Sequence, residues 1–453
     1  MLERPIEEAT AADAGPSRRR FSAHVAWTFG ARILMTVNSV AAGVIVARWL
    51  GAEGLGQLAV INVAVATVVQ LGSAGLPSAN TYFIARAKKD FAPAAVNSLL
   101  FATMAGGLLA LGLWWLATLR PGWFGFIPPR LVAIAALSVP FQLVTLIGLN
   151  VFLAVGRVER FNLLDLLGQS FVLVNAAVAL VILNAGLWTL ISLNTAAGAA
   201  VGLLIAALVW TYGAKAKGGA KWRPDLRLFG RMMRYGVKSH VASLAAVLIF
   251  RADILVVNLF RGAGEAGVYS VASQVALMLF LLPSVVATLL FPRIASKQDE
   301  RGELTCLVTR HMAFVMLVVC LAAVPAGYAL PALYGADFAE AVVLLLILLP
   351  GVYLVGLESV LVQYFNAAGL PRAIPLFWVA TLLFNVALTF ALVPVFGARG
   401  AAAASTLSYA MIFALVVFYF HRRTGQTLAA VLVPRRAELM RTLAAGRPGA
   451  LSR

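Results

Sequence analysis

Apolar runs, each long enough to cross a bilayer, follow one another from residue 25 to residue 421, parted only by short stretches of Gly, Pro and charge. A helix needs about 20 apolar residues to span the hydrocarbon, and hydrophobic types make up 62% of this chain, well above the share in soluble domains. In lipid the backbone N–H and C=O groups of such a run are satisfied within a helix. The expectation is an all-α polytopic membrane protein.

The breaks place twelve spans, near 25–49, 55–84 (interrupted at Gly75 and Pro77), 93–119, 130–155, 161–184, 187–212, 236–260, 267–294, 307–330, 339–366, 373–396 and 399–421. Basic residues orient them, because short cytoplasmic loops hold the Lys and Arg. Of the 36, Arg48, Arg120, Arg130, Arg261 and Arg399 fall on one side and Arg32 and Arg251 lie well inside spans; the other 29, in loops or at span ends, share the side of the termini. Both termini are therefore predicted to be cytoplasmic. The same asymmetry accounts for the formal charge of +18, so no nucleic-acid partner is needed to explain it. The Arg18–Arg20 run precedes a helix too long for a leader, which predicts an anchor.

The chain repeats itself. Gly51-Ala52-Glu53-Gly54-Leu55-Gly56 matches Gly262-Ala263-Gly264-Glu265-Ala266-Gly267 at an offset of 211 residues, and weaker echoes follow in order: Ile84-Ala85 with Ile294-Ala295, and Asn175 and Gly186 with Asn385 and Gly397. A unit of six helices is even, so both halves enter from the same side as parallel repeats. The expected organisation is a disordered cytoplasmic tail (1–24), a first half (25–212), a basic linker (213–235), a second half (236–421) and a basic cytoplasmic tail (422–453). In the linker, Arg227, Arg231, Arg234 and Lys238 share one helical face and Leu226, Phe229 and Met233 another, the pattern of an amphipathic helix in the headgroup layer.

Ionisable residues inside a span are costly and point to function. Arg251 and Asp253 sit in the middle of an otherwise apolar run from Val241 to Phe260, two positions apart, so on one helix they diverge by roughly 200°. Arg32 lies shallower in the first span, and Asp165 and Glu358 nearer helix ends, where interhelical hydrogen bonding is the simpler role. Asn38, Gln70, Asn175, Gln363 and Asn385 read as polar glue between helices. Lys238 and His240 open the seventh span and are candidates for a cavity entrance. Cys306, Cys320 and the four histidines lack metal-ligand spacing, so no metal is expected.

Several segments together resemble a polysaccharide flippase of the Wzx type, in the multidrug/oligosaccharidyl-lipid/polysaccharide (MOP) exporter superfamily. They are Ala47-Arg48-Trp49-Leu50-Gly51, Arg251-Ala252-Asp253-Ile254-Leu255, Gly267-Val268-Tyr269, Leu282-Pro283, Phe291-Pro292, Asn366-Ala367-Ala368-Gly369 and Phe396-Gly397-Ala398-Arg399-Gly400. The likeness runs over residues 25–421. It implies two six-helix halves around a central cavity and passage of a polyprenyl-pyrophosphate-linked oligosaccharide across the cytoplasmic (inner) membrane for a surface polysaccharide. The implied partners are the lipid-linked substrate and the bilayer, with a polymerase and glycosyltransferases of the same pathway. Arg251 is then the first candidate for the pyrophosphate, with Arg32 and Asp253 beside it in the cavity. No cofactor is implied; a coupling ion, H+ or Na+, is left open.

A cation-coupled multidrug exporter of the same superfamily would favour carboxylates, which keeps Asp253 and Glu358 as an alternative reading. A membrane glycosyltransferase is set aside, because the outer loops are too short and Asp299-Glu300 has no companion motif. Alternating access would rock one half against the other. Pro140, Pro283 and Pro292 are the expected bends, and the first and seventh helices the expected closing seam.

Overall fold

A computed structural model describes residues 16–433 apart from 88–89, 126, 216–221, 298, 300 and 370. The first 15 residues and those beyond 433, where most of both expected tails falls, lie outside the described residues. Among the described residues the regular elements are helices and helical turns. The first half comprises α1 (Pro16–Ser73), α2 (Leu76–Arg86), α3 (Phe91–Leu119), α4 (Pro129–Ala136), α5 (Val139–Ala154), α6 (Val158–Ala176) and α7 (Leu187–Lys215). After the linker come α8 (Leu226–Arg251), α9 (Asp253–Arg261), α10 (Ala263–Leu279), α11 (Leu281–Lys297) and α12 (Glu303–Gly327). The short α13 (Leu330–Tyr334), then α14 (Glu340–Ala367), α15 (Ala373–Thr424) and α16 (Leu428–Leu432), complete the chain.

Ten helical stretches among the described residues are long and apolar enough to cross a membrane, against the twelve expected. The difference lies in two stretches of 47 and 52 residues that bend back on themselves. Gly51 interrupts α1 with φ 67° and Gly397 interrupts α15 with φ 58°, values that favour glycine. Across the second bend the Asn385 amide donates to Ser408 Oγ at 3.1 Å; on a straight helix those residues would stand about 35 Å apart. Both arms of α1 likewise line one cavity. The bends replace the loops expected near residues 50–54 and 397–398 with single glycines. Reporter fusions after Gly186 and Gly264 should read external and those after Gly218 and Gly425 cytoplasmic; a cytoplasmic signal at Gly186 would break the six-plus-six arrangement.

The breaks within spans follow local chemistry. The interruption expected in the second span falls at Ala74 (φ 46°) and Gly75 (φ 75°), directly before α2. α5 starts one residue before Pro140, and α11 starts two before Pro283, as expected where proline removes a backbone donor. In each half the fourth helix is central. Gly106 of α3 packs on Pro140 and Gly202 of α7 on Phe141, so α5 is gripped from two sides. In the second half Gly351 of α14 packs on Thr406, and Gly356 on Pro283 and Met316. Close approach over small residues is how helices associate in lipid, where burial alone gives no drive.

The two halves meet with the symmetry that the repeat implies. Gly56 lies against the Ala263 carbonyl and Gly267 against the Ala52 carbonyl, so each contact is the other shifted by the repeat offset. Gly51 and Gly262, also partners in the repeat, share a positive φ (67° and 86°) and an extended ψ. The closest crossing at this end is made by the second arm of α1 and by α10, and the expected first and seventh helices also reach it, through Arg48 of α1 and Asn258 of α9.

The linker differs from its expected form. α8 runs unbroken from Leu226 to Arg251, so the amphipathic segment and the seventh span are one helix, with no end at 235/236. Its start is fixed by Asp225, whose Oδ1 accepts from Arg227 N (2.9 Å) and Leu228 N (3.0 Å), an N-cap. The Asn97 amide exchanges two hydrogen bonds with the backbone of Asp225. Leu228 and Met232 are buried and Leu226 is exposed, which turns the apolar stripe by one position from Leu226, Phe229 and Met233. Tyr235 stacks on Tyr82 at 4.6 Å and Arg231 lies over the Phe83 ring. One face of the linker thus covers protein, while Arg227, Arg231 and Arg234 remain exposed.

Candidate functional site

A cavity of about 580 Å³ lies between the halves, walled by both arms of α1 and by α6, α7, α8, α10 and α11. Among the described residues that line it, the charged ones are Arg32 and Arg251 and none is a carboxylate. Neutral amides supply much of the remaining polarity: Asn62, Gln169, Asn194 and Gln274, with Ser39 and Ser270 among them. Towards the glycine bends the two halves cross closely at Gly56 and Gly267.

Arg251 ends α8 with its side chain on the cavity wall, alongside Phe250 and Ile254 of the same face. Among the described residues no carboxylate stands within ion-pairing distance of it. Arg32 is held differently, with Nη2 at 3.7 Å from Asp165 Oδ2 on α6. That pair ties α1 to α6 and leaves the guanidinium half exposed on the cavity wall. Two arginines facing a polar recess without carboxylates favour an anion, and the planar fork suits phosphate oxygens.

Asp253 does not join them. The helix breaks at Ala252, and the two charged side chains diverge as their spacing required. Asp253 is 2% exposed and points into the second half. There its Oδ2 accepts from the Tyr269 hydroxyl and from Ser405 Oγ at 2.8 Å, and its Oδ1 accepts from Ile254 N at 2.9 Å. It joins α9, α10 and α15, so its expected place in the substrate cavity is corrected to a buried interhelical one. Its bond to the neighbouring amide also explains the break, because a short acidic side chain competes with the helical backbone.

The entrance residues separate as well. Lys238 lies on α8, its side chain outside the described residues. His240 lies off the cavity wall, with a buried Nε2 that has no hydrogen-bond partner. Glu358, expected to bond between helices, is 2% exposed with Oε1 unpartnered. Of the polar glue residues, Asn38 donates to Ser170 (3.1 Å), Asn175 to Asn194 (2.9 Å) and Asn385 to Ser408, each between two helical arms. Among the described residues Gln363 bonds along its own helix, to Ser359 and Asn366. The cavity amides Asn62, Gln169, Asn194 and Gln274 escaped notice in the sequence. A single amide in an apolar span gives no sign of which face it occupies.

Residues 45–343 match the family described as polysaccharide biosynthesis protein. A curated relative from Haloferax volcanii, the probable low-salt glycan biosynthesis flippase Agl15, is 24% identical over 207 residues, 44% of this chain and 43% of its own. The chain thus spans under half the length of the curated relative it matches. Among solved structures, an inward-facing multidrug resistance MATE transporter of the MOP superfamily superposes with a TM-score of 0.71 at 15% identity, covering 86% of this chain and 94% of its own. The lipid II flippase MurJ, in an inward closed conformation, gives 0.70 at 14% identity, covering 95% and 94%. These two likenesses concern the fold. The chain is a multi-pass helical protein with the fold of MOP-superfamily transporters, and it belongs to the polysaccharide biosynthesis protein family.

Proposed function

We propose that the protein is a flippase that carries a polyprenyl-pyrophosphate-linked oligosaccharide across the cytoplasmic membrane for assembly of a surface polysaccharide, with both termini in the cytoplasm. The observation that carries this reading is the cavity wall, which among the described residues bears Arg32 and Arg251 and no carboxylate. A diphosphate head needs a wet cationic recess, and the amides around the arginines suit sugar hydroxyls. The family supports a role in polysaccharide biosynthesis, and the relative named a glycan flippase supports movement of a lipid-linked glycan. The lipid tail stays in the bilayer while the head crosses through the protein. With the glycine end of the seam shut, the cavity faces the linker side, the state that receives substrate from the cytoplasmic leaflet. Rocking of the halves presents it to the other face.

The alternative, a cation-coupled multidrug exporter, asks for carboxylates facing the cavity, and Asp253 is turned away from it. The two readings part in vesicles containing purified protein and a fluorescent polyprenyl-diphosphate oligosaccharide. Dithionite added outside should quench about half of the fluorescence without protein and nearly all of it with protein. Movement of a cationic dye with no movement of the lipid would overturn the proposal in favour of the exporter.

A further inference from the structure

The end of the seam beside the glycine bends carries bonds and buried polar groups that the cavity does not use. Arg48, near the end of the first arm of α1, donates from Nε to the Leu333 carbonyl (2.7 Å) and from Nη2 to the Ala332 carbonyl (2.5 Å). Those carbonyls belong to the last turn of α13, which ends at Gly335 with φ 121°. Helix-terminal carbonyls lack intrahelical donors, and a guanidinium fork can hold two adjacent ones. Arg48 thus ties the first half to the second. Deeper in the seam, Gln274 Nε2 donates to Ser39 Oγ at 2.8 Å, again from one half to the other.

Two groups pull the other way. Asn258 of α9 is 1% exposed, neither atom of its amide has a partner, and it is pressed on Gly125 of the first half. The Tyr334 hydroxyl, at the end of α13, is buried without a partner, and its ring packs on Gly43 of α1. Both side chains belong to the second half and face the first, so opening the seam would hydrate them. Leaving such groups buried carries a desolvation cost that the closed state must offset.

We propose that Arg48 is the positioning residue that latches this gate. Its two bonds hold the seam shut against the hydration that Asn258 and Tyr334 gain on opening, and this balance sets which way the cavity faces. The proposal rests on the reading of the protein as an alternating-access transporter.

The test places one reporter cysteine in the cavity wall, Asn62→Cys, with Cys306 and Cys320 changed to serine, in sealed vesicles of sorted orientation. The rate of reaction with a membrane-impermeant maleimide added from the glycine-bend side reads the open fraction. Arg48→Ala should raise it about tenfold, the scale of losing a pair of charge-assisted bonds. Arg48→Lys should raise it less, because an ammonium cannot hold both carbonyls. Asn258→Leu and Tyr334→Phe should lower it below the parent. A rate unchanged in Arg48→Ala, or raised by Tyr334→Phe, overturns the latch. If Arg48→Ala does not fold, the Tyr334→Phe measurement decides alone. No substrate enters the assay, so a failed latch leaves the lipid-transport result standing, and failure of that result leaves the latch measurable.

Discussion

Arg251→Ala should abolish surface polysaccharide while the protein remains in the membrane at parental level, measured by glycan staining beside an immunoblot of the same membranes. Loss of one charge-assisted contact costs about 1.5–3 kcal/mol, roughly a tenfold to hundredfold loss of binding. The protein should persist because Arg251 pairs with no carboxylate among the described residues, so its removal strands no buried partner. Arg251→Lys should restore export in part, since the charge returns without the fork. Arg32→Ala is a different experiment, because it also removes the pair with Asp165 that joins α1 to α6. Normal export by Arg251→Ala would remove this residue from the site, whereas disappearance of the protein would assign it to the frame.

A larger effect on the fold is expected where the halves cross. A side chain at Gly56 would run into the Ala263 carbonyl and one at Gly267 into the Ala52 carbonyl, and both obstacles are backbone. Backbone inside a helix cannot step aside as a side chain can, so Gly56→Val and Gly267→Val should each cost on the order of 3 kcal/mol or more. Because the contacts mirror each other, the two losses should be similar. Apparent melting temperatures of the detergent-solubilised protein, followed by size-exclusion chromatography, would show it. An unchanged melting temperature in either variant would contradict the close approach.

Much of this frame was legible in the sequence because its causes are local or periodic. Apolar length dictates spans, Gly51, Gly75, Gly397, Pro140 and Pro283 mark breaks although α11 runs on through Pro292, and the repeated Gly-Ala motif pointed to the pair of glycines that the structure brings into reciprocal contact. The place of Arg251 on the cavity wall was legible for a related reason, since a charge deep in a span is costly unless it meets a partner or a wet recess. Asp253 misled because its rarity in a span is the same whether it faces a cavity or a Tyr269–Ser405 pair contributed by distant helices. Tertiary packing alone decides between them. The cavity amides were hidden among residues of the same type that serve as glue, and the linker's apolar stripe moved by one position because it packs on protein rather than lipid. The number of spans was blurred where a single glycine, rather than a loop, reverses the chain.

The reciprocal glycine contact has the form of an isologous interface, the kind two identical six-helix units would make about a twofold axis. A cavity on such an axis would offer every ligand two equivalent poses. This one does not: at the repeat offset of 211, Arg251 corresponds to Val40, Arg32 to Ser243 and Arg48 to Leu259. The charges lie outside the symmetry of the backbone that carries them. An anion entering the cavity therefore meets charges that the twofold frame does not duplicate, and the two poses that the backbone alone would allow are no longer equivalent.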